Sequence, residues 1–147
     1  MVLEDGVQSI VQCEIQLRNN DRLTVGLFYR SPNSTEQQND LFYETFEKMS
    51  QVKSSHILIM GDFNYPLVDW QHEIPVMESD GTDRFLELFH QSYLYQHVTF
   101  PTRYRNDQAA NILDLVMTNE ESMISDRSRI NGDCLTSTGS PEMLGLQ

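Results

Sequence analysis

The chain has 147 residues, 39% of them hydrophobic, and carries 10 basic against 22 acidic residues, for a formal net charge of −12. This length suits one ordinary domain, and the clustered apolar residues of its middle favour a packed core over disorder. No run of about 18 apolar residues occurs, so no membrane-spanning helix is predicted. The acidic balance is unfavourable for binding nucleic acid by neutralising phosphates.

The cysteines give no sign of a disulfide framework or a metal site. Cys13 and Cys134 lie far apart and have no metal-ligand spacing, and residues 1–5 lack the basic start of a secretory signal. An intracellular, reducing compartment is therefore expected, without an indication of nucleus or cytoplasm.

Predicted strands and helices alternate along the chain. Residues 7–17 alternate roughly between apolar and polar, and with a polar turn at 19–21 and an apolar run at 23–29 they predict a β-hairpin. The later predicted elements are a helix over 36–53 capped by Ser34 or Thr35, a strand over 57–60, an acidic loop over 65–81, a helix over 83–92, a short strand over 95–99, a polar loop over 101–110 and a buried strand over 113–118. The alternation predicts an α/β fold.

The character of the sequence changes after Asp126. The residues that follow are small and polar and have no periodicity. We therefore predict a domain over 1–126 and a poorly structured tail over 127–147.

The segment after the apolar run 57–60 is the most informative part of the chain. Gly61 ends the run, and an acid and an amide follow at Asp62 and Asn64. If the strand continues, alternation places both on one face and Phe63 on the other. Their oxygens suit a hard cation such as Mg²⁺ and an anionic substrate. An equally open interpretation is that both only cap the following loop.

Three ordered segments resemble the endonuclease/exonuclease/phosphatase superfamily. Their amino-acid sequences are most similar to the endonuclease domains of non-LTR (LINE-type) retrotransposons. The segments are Gly61-Asp62-Phe63-Asn64-Tyr65-Pro66 with Asp69-Trp70, Phe28-Tyr29-Arg30-Ser31-Pro32-Asn33, and Pro101-Thr102-Arg103 with Asn111-Ile112-Leu113-Asp114-Leu115-Val116-Met117-Thr118-Asn119. The resemblance runs from about residue 23 to residue 124. It implies part of a DNase I-like four-layer α/β sandwich, with mixed sheets and flanking helices.

The resemblance implies catalytic roles for four residues. Asp62 would orient or deprotonate the attacking water, and Asn64 would hydrogen-bond that water and the phosphate. Tyr29 would lie in the active site, and Asp114 would orient a catalytic histidine. Taken without the resemblance, Tyr29 is equally well an ordinary strand tyrosine, and Asp114 a structural hydrogen-bond acceptor within an apolar run.

Other residues have a functional and a structural interpretation side by side. Trp70 would stack on a base or cover the edge of the core. Arg103 and Arg105 would meet phosphate or remain solvated loop charges. The four histidines have no metal-binding spacing and are expected at the surface or at element edges.

The resemblance implies a Mg²⁺-dependent enzyme that nicks DNA, but part of its catalytic set has no counterpart here. The missing groups are an asparagine on the first strand, a metal-binding glutamate and an Asp-His pair, since no histidine follows Asp114. Asp62 and Asn64 are then the nearest candidates for metal ligands.

We therefore predict a fragment of a retrotransposon endonuclease domain, truncated at both ends and with little or no activity. The alternatives are a non-enzymatic binding or scaffold module that reuses the half-domain, and an incomplete gene model whose true product carries the full domain with a reverse transcriptase beyond it. Sheet edges left exposed by such a truncation are expected to favour self-association.

Overall fold

The computed structural model describes residues 9–125, apart from the side chains of Asp80, Arg105, Gln108 and Ala109. The predicted tail over 127–147 lies outside these residues. The elements in chain order are β1 (Ser9–Gln16), β2 (Arg22–Tyr29), α1 (Glu36–Ser50), β3 (His56–Asp62), β4 (Val68–Asp69), β5 (Ile74–Pro75), α2 (Asp80–Ser92), β6 (Tyr95–Gln96), β7 (Arg103–Arg105), β8 (Gln108–Asn111) and β9 (Asp114–Thr118), with 3-10 turns at Arg18–Asn20 and Glu121–Met123.

Five strands form one mixed sheet in the order β1-β2-β3-β9-β6. The predicted hairpin is confirmed, since β1 and β2 are antiparallel neighbours. Strands β2 and β3 are parallel and connected through α1, whereas β9 runs antiparallel to both of its neighbours. A parallel pair needs such a crossover helix. It also brings the carboxyl ends of β2 and β3 to the same edge of the sheet.

The first helix begins at a side-chain cap, whereas the N-cap residue of the second, Ser79, makes no side-chain cap hydrogen bond. Thr35, one of the two predicted caps, forms a capping box with Gln38 at the start of α1. The first helix ends at Ser50, earlier than predicted. The second begins at Asp80, earlier than the predicted residue 83, because the N–H of Asp83 already donates to the carbonyl of Ser79.

The core lies between the helices and one face of the sheet. Phe63 is fully buried there, with its ring 5.5 Å from the rings of both Phe42 of α1 and Phe85 of α2. Ile59 of β3 and Leu115 of β9 belong to the same buried cluster. The opposite face of the sheet contributes no residue to this cluster.

Two predicted loops contain short strands. The predicted polar loop over 101–110 is wrong, because β7 and β8 pair there as an antiparallel hairpin. The acidic loop over 65–81 contains the two-residue strands β4 and β5. These hairpins are held by backbone hydrogen bonds without an apolar pattern, so periodicity gave no sign of them. The predicted strand over 95–99 is reduced to Tyr95–Gln96. Within residues 9–125, neither helix is long and apolar enough to cross a membrane.

Candidate functional site

Tyr29, Asp62 and Asp114 lie in one row across three adjacent strands. Tyr29 is paired with Asp62 between β2 and β3, and Asp62 is paired with Asp114 between β3 and β9. Directly paired residues share a face of the sheet. Phe28 precedes Tyr29, Leu115 follows Asp114, and both are buried against the helices. The row therefore projects from the opposite, open face.

Gly61 permits the close approach of β2 and β3 next to this row. Its φ is +143°, and a Cβ atom at this position would collide with the backbone carbonyl of Phe28. Only glycine combines that conformation with that contact. The glycine that ends the apolar run is therefore a structural requirement of the strand pair that carries Tyr29 and Asp62.

The Asp62 carboxylate has one paired and one unpaired oxygen. Arg103 donates from Nη2 to Asp62 Oδ2 at 3.0 Å, whereas Oδ1 is buried and has no hydrogen-bond partner in the described structure. Burial raises the pKa of the Asp62 carboxyl above its usual value, and the neighbouring Asp114 carboxylate raises it further. Arg103 and the backbone N–H of Asn64 oppose this rise.

Asn64 lies beyond the end of β3, so the alternation of side chains along that strand does not extend to it. The strand ends at Asp62, and Asn64 has a left-handed backbone with φ of +52°. Its Nδ2 donates to the carbonyl of Arg30 at 2.6 Å, and Arg30 Nη1 donates back to the carbonyl of Asn64 at 3.0 Å. The amide nitrogen thus ties the end of β2 to the loop after β3, which agrees with the loop-capping interpretation.

Thr102 positions the start of β9. Its Oγ1 accepts hydrogen bonds from the N–H groups of Leu113 and Asp114, both at 3.1 Å. The carbonyl of Leu113 accepts from the N–H of Phe63 at 2.9 Å. Sequence reasoning did not single out Thr102 or Arg30, although both lie in the segments that carry the resemblance. Neither the contacts of Thr102 with backbone groups nor those of Arg30 with the Asn64 carbonyl and Asn39 Oδ1 leave a periodic signal in a sequence.

The remaining candidates lie away from the row. Trp70 packs edge-on against Phe85 and Phe89 and so covers the core edge. The side chain of Arg105 is outside the described part of the chain. Each histidine contacts a group elsewhere: His56 contacts Asp21 and Glu120, His72 contacts Asp69, His90 contacts Glu73, and His97 contacts Thr118.

The donor set fits only part of a magnesium site. Among the described residues, no group of three or more His, Cys, Asp or Glu side chains is placed to hold a metal ion. The row offers two carboxylates, Asp62 and Asp114. Protein sites for Mg²⁺ commonly use one or two carboxylates and leave the other positions to water and substrate phosphates. The pair fits a cation held in that way, and not a cage made by protein alone.

A mixed sheet whose strand ends present this row is consistent with the DNase I-like α/β fold. A family model described as endonuclease-reverse transcriptase matches residues 23–138. Since the match covers most of the chain, the protein belongs to this family, within the endonuclease/exonuclease/phosphatase superfamily. No curated protein matches the chain.

Two solved structures are similar to this chain. The endonuclease domain of TRAS1, a telomere-specific non-LTR retrotransposon, has 17% identity and a TM-score of 0.50, over 76% of this chain and 50% of that one. An endonuclease/exonuclease/phosphatase family protein from Leptotrichia buccalis has 15% identity and a TM-score of 0.43, over 78% of this chain and 50% of its own. The chain thus spans half the length of both. At these identities the first likeness shows the fold alone, and the second adds no argument.

Proposed function

We propose that this chain forms the centre of a phosphodiester-hydrolysing site of retrotransposon endonuclease type, with DNA as substrate and Mg²⁺ as cofactor. The single observation that carries the proposal is the row of Tyr29, Asp62 and Asp114 on the open face at one edge of the sheet. The family match over 23–138 supports the same assignment.

The row supplies groups that suit hydrolysis of a phosphodiester. Tyr29 is 41% exposed, so its hydroxyl can donate to a phosphate oxygen. Asp62 has a raised pKa, which makes its carboxylate a better proton acceptor for an attacking water. Arg103 beside it supplies the positive charge that meets the phosphate. Asp114 lies next to Asp62 and adds negative charge for a cation. When bound, Mg²⁺ would polarise the phosphate and stabilise developing charge.

We further propose that this polypeptide alone has little or no nicking activity. Among the described residues, no group of three or more His, Cys, Asp or Glu side chains is placed to hold a metal ion. Catalytic groups that act as a unit are strongly non-additive, so losing one of them removes most of the rate. The net charge of −12 also disfavours tight DNA binding.

A plasmid-nicking assay tests the activity. Supercoiled plasmid is incubated with the wild-type chain and with Asp62→Ala, in Mg²⁺ and in EDTA. We expect no nicking above the EDTA background from either protein. Robust Mg²⁺-dependent nicking by wild type that Asp62→Ala abolishes would overturn the proposed inactivity and establish Asp62 as catalytic.

A binding measurement tests the site independently of turnover. The ¹³C carboxyl resonance of Asp62 is followed while Mg²⁺ and a short DNA duplex are added together. We expect it to shift, with Asp40 as the internal control, because Asp40 pairs with Arg84 on the helical side of the molecule. If Asp62 responds no more than Asp40, the proposed site is wrong.

The second candidate function is a non-enzymatic binding or scaffold module. The observation that favours it is the apolar face of the sheet opposite the helices, on which Val11 and Leu27 are exposed. Such a module also fails to nick plasmid, but its Asp62 resonance does not respond to Mg²⁺ and DNA. The two measurements together therefore separate the two candidates.

A further inference from the structure

Arg30 follows the last residue of β2 and bonds to two residues of the candidate site. Its backbone N–H donates to the carbonyl of Asp62 at 2.8 Å. Its guanidinium Nη1 donates to the carbonyl of Asn64 at 3.0 Å, and its own carbonyl accepts from Asn64 Nδ2 at 2.6 Å. These hydrogen bonds join Arg30 to both ends of the segment 62–64, which begins at the row.

The bond from Nδ2 fixes which way round the amide of Asn64 lies. A backbone carbonyl only accepts hydrogen bonds, so the carbonyl of Arg30 must face the NH₂ end of this amide and not its oxygen. The amide group is planar, and fixing its nitrogen therefore also fixes the direction of Oδ1. That oxygen is the side-chain atom of Asn64 that can accept from a water or bind a cation.

The backbone of Asn64 needs to be held in place. Its φ of +52° lies in the left-handed region, which asparagine tolerates better than most residues but does not prefer. The Arg30 Nη1 bond holds the carbonyl of this same residue. Backbones of this kind persist where the surrounding contacts over-determine them, and they cluster at functional sites.

The guanidinium of Arg30 is itself held from the helical side of the molecule. Its Nε donates to Asn39 Oδ1 of α1 at 3.0 Å, and its Cζ lies 4.2 Å from the centre of the Tyr65 ring. The Tyr65 ring stacks on Phe85 of α2, with the ring centroids 4.4 Å and the planes 3° apart. Arg30 therefore connects Asn64 to both helices.

These contacts use the planar shape of the Arg30 guanidinium as well as its charge. Nε and Nη1 donate to different partners, while Cζ lies over an aromatic ring. A lysine ammonium carries the same charge, but it is a point charge without a fixed fork of donors or a flat face. The arrangement therefore requires arginine and not merely a cation.

We propose that Arg30 is a positioning residue of the candidate site, which holds Asn64 so that its amide oxygen points in one fixed direction two residues after Asp62. The inference rests on the proposed function, because the direction of this oxygen matters only if water, a cation or phosphate binds there. Arg30 acts through Asn64 and touches none of them. A group that is oriented before binding loses less freedom when a ligand arrives.

Arg84 provides a matched control for Arg30. Its Cζ lies 4.4 Å from the centre of the Tyr43 ring, and the Tyr43 hydroxyl accepts a hydrogen bond from the Tyr65 hydroxyl at 2.8 Å. The two arginines thus stack on two tyrosines that are bonded to each other. Of the two, Arg30 is the one that bonds to Asn64.

NMR of the full chain without ligand tests the positioning, through exchange of the Asn64 side-chain amide protons with water. Arg30→Lys keeps the charge but removes the planar group, so we expect this exchange to become at least about tenfold faster, as for loss of a bond from a charged donor. Arg84→Lys is expected to change it by less than about twofold. The coupling between the N–H and Hα protons of Asn64 reports its φ and is expected to change in Arg30→Lys alone.

Addition of Mg²⁺ and a short DNA duplex tests what the position serves. The Asn64 amide resonances are expected to shift in wild type and in Arg84→Lys, and to shift less than about half as far in Arg30→Lys. Urea unfolding gives the stability of each variant. A merely structural role of Arg30 would lower stability without separating the Asn64 responses of the two variants.

Asn39→Ala is a second variant that acts on the same guanidinium without replacing it. It removes the acceptor of the Arg30 Nε bond, at a position in α1 where alanine favours the helix. Exchange of the Asn64 amide protons is expected to become faster here too, by a smaller factor than in Arg30→Lys. This variant keeps the test decisive if Arg30→Lys does not fold.

The outcomes separate this inference from the proposed function. Unchanged Asn64 exchange in the folded Arg30 and Asn39 variants, or an equal change in Arg84→Lys, would overturn the inference and leave the proposed function standing. Faster exchange in Arg30→Lys, in a protein whose wild-type Asp62 and Asn64 both ignore Mg²⁺ and DNA, would overturn the proposed function. The positioning role would then fall with it.

Discussion

Asp62 and Asp114 are directly paired across the antiparallel strands β3 and β9. Two carboxylates therefore lie side by side where β3 ends and β9 begins. Like charges in this position destabilise a strand pair. Here the pair is partly compensated by Arg103, which donates to Asp62 Oδ2. A strained arrangement of titratable groups of this kind is typical of a functional site, and it gives the row properties that can be measured.

Arg103→Ala is expected to raise the pKa of Asp62 further. Arg103 is among the groups that lower this pKa, whereas burial and Asp114 raise it. The pKa is read from the ¹³C carboxyl resonance of Asp62 during a pH titration. Arg84→Ala is the control, because Arg84 pairs with Asp40 and stacks on Tyr43. Equal effects of the two variants would mean that the Arg103 pair does not persist in solution.

Asp62→Asn is expected to stabilise the protein more at pH 7 than at pH 3. The folded pKa of Asp62 is above the ordinary value of 3.8, so the folded state holds this proton more tightly than the unfolded chain. Stability is therefore lost as pH rises from the unfolded pKa through the folded one, and the full penalty remains above it. The amide removes that penalty.

The stability difference between Asp62→Asn and wild type is measured by urea unfolding at both pH values. Asp69→Asn is a control of opposite sign, since a hydrogen bond from His72 lowers the pKa of Asp69. Asp69→Asn should lose stability at pH 7 relative to pH 3. A gain for Asp62→Asn that does not depend on pH would contradict the assigned cause.

Gly61→Ala is expected to prevent folding or to reduce stability by more than about 3 kcal/mol. Its Cβ atom collides with the Phe28 carbonyl, and the φ of +143° excludes ordinary side chains. Gly81→Ala is the control. Gly81 lies in α2, and a Cβ atom on it would be 3.7 Å from the Tyr43 hydroxyl, an ordinary contact distance. Alanine at this position should therefore raise the free energy of unfolding by about 0.5–1 kcal/mol. Thermal unfolding followed by circular dichroism gives both values, and a well-folded Gly61→Ala variant would refute the strand geometry.

Asn64→Ala is expected to cost about 1–3 kcal/mol, and Asn64→Gly clearly less. Both variants lose the bond to the Arg30 carbonyl, but only alanine is strained at a φ of +52°. Urea unfolding measures the difference. If both variants lose the same amount, backbone strain at Asn64 plays no part.

The strands and helices that pack were predictable because each leaves a periodic signal. Residues 23–29 and 57–60 alternate or run apolar, and both form strands of the main sheet. Thr35 was among the predicted caps and forms the capping box of α1. Elements without an apolar stripe were missed, as with β7 and β8, since only backbone bonds define them.

The identity of the row was predictable, but its geometry was not. Tyr29, Asp62 and Asp114 were singled out from the sequence, whereas their adjacency depends on the register of β2, β3 and β9. Asn64 was expected to share a face with Asp62. Its left-handed backbone directs its amide nitrogen to Arg30 instead, because the strand ends two residues earlier.

The sequence by itself determined the family, which segments form strands or helices, and the residues of the row. Apolar periodicity and the amino-acid sequence of a motif are both properties of short segments. Only the tertiary structure decided which groups meet: the Arg103–Asp62 pair, the Thr102 contacts to the start of β9, and the open apolar face opposite the helices. The Arg103–Asp62 pair and the apolar face depend on contacts between segments more than 30 residues apart. Such pairing is set by burial of the whole core, and no single segment encodes it.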